Sequence, residues 1–348
     1  MSMAQEQARR KISWYRTPVD RELLAELNKR SDWKGFLQTG GHLGLLCLTG
    51  GLAWYAASRA FWGWLALLLF VHGTCYAFLL NGFHELCHGT VFRSKRLNKF
   101  FLYLVSFLGQ YNPVFFWESH QAHHKYTLHP PDDLEVVLPQ KVTLKDFLKS
   151  AVVNPWGLWG RVKGVVRLSR GRLSGQWENA LFPPSEPEKR RALFNWARIL
   201  LVGHLLLIAV SCALGLWMLP VLITLAPYYG GWLLFLCNNT QHIGLQDNVP
   251  DFRLCTRTII LNPVVRFLYW HMNYHTEHHM YAAVPCYNLG RLHEAIKHDL
   301  PPTKVGLYAA WKEIIEILRK QKVDPSYQYV PPLPTPGRYG SGPRAATS

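Results

Sequence analysis

The sequence predicts an all-α membrane protein: four transmembrane helices in two hairpins, beneath a cytosolic helical cap. Three observations carry that expectation. Long apolar runs alternate with strongly basic stretches. Aromatic residues are abundant beside those runs, with 14 Trp, 16 Tyr and 17 Phe. Histidines gather in clusters that follow the apolar runs.

Taken in order, residues 1–36 form a polar, basic N-terminal segment with an amphipathic stretch around 23–27. The first apolar run is 41–57, and a break containing Arg59 separates it from the second, 61–80, whose one ionisable group is His72. About 20 apolar residues suffice to cross a bilayer core. A third apolar stretch, 100–117, is interrupted by Gly109, Gln110, Asn112 and Pro113, so it is expected to lie at the interface or re-enter. Residues 125–198 are polar and basic, with tryptophans at 156, 159, 177 and 196. Runs 196–219 and 221–237, split by Pro220, complete the second hairpin. Residues 37–300 are read as one membrane domain, and 301–348 as a C-terminal helix ending in a Pro/Gly-rich tail. That tail, from about 331, is expected to be disordered.

Charge supplies the orientation. Lys plus Arg number 38 against 22 Asp plus Glu, a net charge of +16. In a soluble chain such an excess would suggest nucleic acid. Beside apolar runs and aromatic belts it describes membrane loops, and no nucleic-acid partner is expected. The connections at 58–60 and 218–221 carry Arg59 alone, while Arg93, Lys95, Arg96, Lys99 and the 141–198 stretch carry many charges. The positive-inside rule then puts both termini and every histidine cluster in the cytoplasm. The seven cysteines contain no CxxC pair and read as reduced packing residues.

The clusters are His84 and His88, then His120, His123 and His124, then Asn238 and His242, then His275, His278 and His279. Spacings of i, i+3 and i+4 put side chains on one helix face. Imidazole is the commonest protein ligand for transition metals. This set exceeds the four ligands of a structural zinc and suits two ions with open positions. A rival motif is present: His84-Glu85-Leu86-Cys87-His88 matches H-E-x-x-H, with two zinc-binding histidines and Glu85 as general base of a membrane-embedded peptidase. It leaves both H-x-x-H-H clusters unexplained.

The order H-x3-H, H-x2-H-H, N-x3-H, H-x2-H-H on membrane hairpins resembles the membrane fatty acid desaturase and hydroxylase superfamily, over roughly residues 40–300. The resemblance implies a cytosolic cap holding two non-haem Fe ions, with O2 as co-substrate. It implies removal of hydrogen from an unactivated C–H bond of a fatty acyl or lipid-like chain, giving a double bond or, alternatively, a hydroxyl. Carried onto this chain, the metal ligands are His84, His88, His120, His123, His124, His242, His275, His278 and His279, with Asn238 reaching a metal through water. Neutral nitrogen donors suit iron. Neither a cytochrome b5 His-Pro-Gly-Gly signature nor a CxxC pair is present, so an external ferredoxin, rubredoxin, or cytochrome b5 with its reductase is implied as electron donor. The bilayer and a lipid-like substrate complete the expected partners.

Carboxylates that could orient the histidines are Glu85, Glu118, Asp132, Asp133, Glu277 and Asp247, with Glu85 and Glu277 preferred because they lie inside motifs. His42, His72 and His204 are read as packing or interface groups within spans, His271 as a residue that supports the ligands from behind or is structural, His129 as a loop residue, and His293 and His298 as a solvated helix face. Phe115, Phe116, Trp117, Trp270 and Tyr274 are read as residues of an interfacial aromatic belt or, alternatively, as the lining of an acyl tunnel. The arginine-rich 161–172 stretch is read against anionic headgroups, or as a docking point for the electron donor.

Overall fold

A computed structural model describes residues 11–334. The described residues are mostly helical, with one two-stranded parallel ladder, β1 (Ile259–Ile260) and β2 (Lys304–Val305). The final part of the expected disordered tail, 335–348, lies outside the described residues.

The N-terminal segment contains α1 (Arg21–Leu27), capped by Asp20, whose carboxylate accepts from the Glu22 and Leu23 amides. Next comes α2 (Asp32–Ser58), a 27-residue helix that starts earlier than its apolar run because Ser31 caps it. The break at Arg59 turns the chain into α3 (Trp62–Ala77), which packs along α2. Almost without interruption, α3 continues into α4 (Leu79–His88). The combined helix Trp62–His88 is long and apolar enough to cross a membrane. At about 1.5 Å per residue it is longer than a hydrocarbon core of ~30 Å is thick.

The interrupted run 100–117 becomes two helices, α5 (Lys95–Leu108) and α6 (Pro113–Tyr126). Gln110 between them takes a positive φ, and Asn112 caps α6 through the Val114 and Phe115 amides. The basic stretch folds as α7 (Leu144–Ala151), α8 (Pro155–Ser169) and α9 (Gly175–Leu181). Then α10 (Pro187–Ala213) forms the second helix long and apolar enough to span, with α8 packed along it.

The run 221–237, expected as one span, is not a continuous helix. It is broken into α11 (Met218–Leu222), a 3-10 turn (Ala226–Tyr228) and α12 (Trp232–Asn238). Pro227 removes an amide donor. Gly230, at φ +70°, sits where a Cβ would lie 2.6 Å from the Phe70 carbonyl oxygen. This segment is wedged against α3 through glycine: a Cβ on Gly73 would lie within 2.3 Å of Tyr229.

The rest is α13 (Phe252–Cys255), α14 (Pro263–Leu268), α15 (His275–Met280), α16 (Leu289–Ile296) and α17 (Gly306–Val323). Their apolar faces share one core with α4, built on Phe78, Phe83, Leu86, Phe92, Tyr269, Trp270 and Leu292. Trp270 is fully buried against Gly82, where a Cβ would come within 2.6 Å of its ring. The N-terminal segment straps this core: Trp14 stacks on Phe252 at 4.2 Å and donates to the Lys125 carbonyl.

The histidines of the apolar helices are packing groups, as expected. His42 bonds the Cys75 carbonyl and accepts from Trp270 Nε1. His72 joins Thr49 to the Leu222 carbonyl, and His204 joins Thr224 to the Phe107 carbonyl. All seven cysteines are free thiols.

Candidate metal centre

Four pieces of backbone deliver the nine histidines to one place. The end of α4 carries His84 and His88, and the end of α6 carries His120, His123 and His124. The loop after α12 carries His242. The single-turn helix α15 carries His275, His278 and His279. All but His88 and His124 are buried outright.

The rings divide into two groups. His84, His88, His120, His124 and His278 form one; His123, His242, His275 and His279 form the other. Within each group the potential donor nitrogens all lie within 4.8 Å of one another. Each H-x-x-H-H box is therefore split between the groups. From α6, His120 and His124 go to one and His123 to the other; from α15, His278 goes to the first and His275 and His279 to the second. Helical geometry explains the split, because i and i+4 share a face while i+3 is offset from it.

The Nε2 atoms converge. His120 Nε2 lies 2.7 Å from that of His84, 3.1 Å from that of His88 and 3.0 Å from that of His124. In the second group, His275 Nε2 lies 2.9 Å from that of His242 and 3.2 Å from that of His279. Several Nδ1 atoms point outward to fixed acceptors. His120 Nδ1 donates to Glu135 at 2.9 Å, His123 Nδ1 to Asp133 at 2.8 Å, and His242 Nδ1 to the Cys255 carbonyl at 2.9 Å. A neutral ring that donates through Nδ1 presents a lone pair at Nε2. Lone pairs facing lone pairs at hydrogen-bond distance repel, and a cation between them turns that repulsion into ligation. The donor set thus fits metal ions.

Protonation agrees. Burial, followed by the neighbouring rings, pushes His120, His124, His275, His278 and His279 well below the usual histidine range. Burial brings His242 down to about 3. These rings are neutral at pH 7, the form that binds metal. His123 is the exception. Burial opposes its charged form, but Asp133, by its charge and its hydrogen bond, leaves its pKa raised. A cation at Nε2 would take the place of that proton.

Of the carboxylates singled out in the sequence, Asp133 and Glu85 stand behind ligand-bearing rings. Asp133 also accepts from the Leu128 amide. Glu85 is fully buried, 3.2 Å from His84 Nδ1 and 3.7 Å from His278 Nδ1. Glu277, despite its place inside a motif, turns away from the rings. It binds His293 Nδ1 at 2.5 Å and accepts from the Thr258 hydroxyl. His293 is accordingly buried rather than on a solvated face. Glu118 pairs with Lys189, and Asp247 with Gln328.

Glu135 was missed by sequence reasoning. It takes the Ser119 hydroxyl on its other oxygen, and Ser119 in turn accepts from Trp177. A turn in which the Glu135 amide donates to Asp133 Oδ1 brings the two carboxylates to the α6 histidines, and no sequence motif marks it.

Asn238 lines a pocket of about 170 Å3 together with His84, His120, His123, His242 and His275, and its side-chain oxygen is 3.4 Å from Asn81 Nδ2. His271 stays outside both groups. Among the tunnel candidates, Phe116 lines this pocket and stacks on His120 at 4.8 Å. Trp270 and Tyr274 are occupied elsewhere, by His42 and His293.

The family model of fatty acid desaturases matches residues 60–311, nearly three-quarters of the chain. The chain belongs to the fatty acid desaturase family. Members are membrane-associated, iron-dependent oxidoreductases that act on lipid substrates and depend on a redox partner. The match spans both spanning-length helices and all nine clustered histidines. No curated protein matches the chain.

Proposed function

We propose that the chain is an O2-dependent di-iron desaturase of a fatty acyl or lipid-like chain. The observation that carries this reading is the division of nine imidazoles into groups of five and four. Two bound irons would supply the redox chemistry that breaking an unactivated C–H bond with O2 requires. His84, His88, His120, His124 and His278 would hold one. His123, His242, His275 and His279 would hold the other, with Asn238 beside them. Glu135, Asp133 and Glu85 fix ring orientation from behind, as carboxylates outside a ligand set do. The electrons would come from a separate ferredoxin, rubredoxin or cytochrome b5 system.

Two hairpins would seat the protein in the bilayer: α2 with α3–α4, and α10 with the broken segment from α11 to α12. Both termini and the metal centre would then face the cytoplasm. A break such as that at 223–231 is tolerated at membrane depth where it is buried in protein.

Glu85 speaks against the zinc-peptidase reading. A peptidase base must face the water on the metal, at the Nε2 side. Glu85 lies on the Nδ1 side of His84 and His278.

Metal analysis of the purified chain, with mass spectrometry of lipids from cells expressing it, tests the proposal. About two irons per chain and an O2-dependent unsaturated product are expected. His278→Ala should lose iron and at least ~100-fold of activity. One zinc per chain, or full activity in His278→Ala, would overturn the reading.

A further inference from the structure

Apart from the histidine pocket, a cavity of about 160 Å3 lies between the chain before β1, β2, α17 and the C-terminal segment. None of the clustered histidines lines it. Its charged lining is Arg257, Lys304 and Glu313. Glu313 serves both cations: Oε1 lies 3.4 Å from Arg257 Nε, and Oε2 lies 3.0 Å from Lys304 Nζ. One carboxylate between two cations leaves the cavity with one positive charge in excess. Glu277 does not cancel it, because it lies behind Thr258 and is bound to His293. Arg257 is only 8 % exposed. Its Nη1 donates to the Thr240 and Ile243 carbonyls at 2.7 and 3.2 Å, which fixes the guanidinium. Its Nη2 is buried and has no partner. Nε and Nη2 share one edge of the planar group, and Nε is turned to Glu313 in the cavity wall. Buried donors are normally paired, so this nitrogen calls for an acceptor that the chain does not supply.

We propose that this cavity binds a phosphate group, free or carried on a lipid headgroup. Arg257 Nη2, Lys304 Nζ and the Thr303 hydroxyl would be its donors, and all three residues line the space. Charge-assisted hydrogen bonds from guanidinium and ammonium to phosphate are among the stronger polar contacts. A tetrahedral oxyanion offers an oxygen to each of several donors that arrive from separate elements, whereas a planar carboxylate offers two. The bound group would also answer the excess charge. It would tie the C-terminal segment to the cap, because Tyr329 and Pro331 form one wall and Thr276, on α15, forms another. That segment is already held beside the cavity: the Tyr329 amide donates to the Gly244 carbonyl at 2.8 Å, and Gln328 donates to Asp247.

Isothermal titration of the full chain in detergent, at constant ionic strength, with inorganic phosphate and with dioctanoyl phosphatidate tests this. At least one should bind saturably and raise the unfolding temperature, and the tighter of the two names the source. Lys304→Gln should weaken binding about tenfold, and Arg257→Lys, which keeps a charge but removes Nη2, should weaken it as far. Glu313→Gln removes the competing carboxylate and should tighten binding. Lys312→Gln, an equal charge loss at the exposed neighbour of Glu313 and outside the cavity, should leave it unchanged. Absence of saturable binding by both probes, equal losses in Lys304→Gln and Lys312→Gln, unchanged binding in Arg257→Lys, or weaker binding in Glu313→Gln would overturn the proposal.

Discussion

Among single residues, the carboxylates behind the rings carry as much of the site's definition as the rings themselves. Asp133 and Glu135 each hold one α6 histidine by its Nδ1. Asp133→Asn and Glu135→Gln are expected to keep the fold and to weaken metal binding by about 10–100-fold, measured by chelator competition. Unaltered affinity in both would mean that the loop merely covers the site. The histidine ligand candidates could be read from spacing alone, because i, i+3 and i+4 relations are properties of one helical turn. Glu135 could not, since a loop's path is fixed by what it packs on. Glu277 is the reverse case. Its motif position suggested proximity, but on α15 it points to the opposite face, toward His293.

At the level of helices and segments, close approach is bought by glycine. Trp270 sits on Gly82, and Tyr229 sits on Gly73. Gly82→Ala should destabilise by ~1–3 kcal/mol through overpacking, seen as a lowered unfolding temperature in detergent. Gly44, in exposed α2, has nothing within 4 Å of its Cβ position, so Gly44→Ala should stay within ~0.5 kcal/mol of the parent. Equal effects at the two positions would refute the packing argument. Trp14 offers a second test, since its stacking on Phe252 ties the N-terminal strap to the cap beside His279. Trp14→Ala should cost ~2–3 kcal/mol and weaken metal retention. Helices α2, α3 and α10 were legible from apolar length. The segment 221–237 was not, because hydropathy records the apolar content of a run and not whether its backbone stays helical. Pro227 and Gly230 break it where it is buried against α3.

For the whole molecule, the centre draws on four separated stretches, so metal should bind the folded chain far better than the unfolded one. Removing it with a chelator is expected to lower the unfolding temperature, and adding Fe2+ back to restore it. A chelator-insensitive transition would argue that the histidine groups are held by packing alone. Topology has its own test: reporters fused to either terminus should both read cytoplasmic, and opposite readings would break the two-hairpin arrangement. By itself the sequence determined the helical class, two runs of spanning length and the clustering of histidines at helical spacing, all of which follow from local periodicity and composition, and its motifs resembled the family that the match shows. Only the tertiary structure decided how the histidines divide between two groups and which carboxylates stand behind them. Those are distances between residues far apart in the chain, set by how the helices pack.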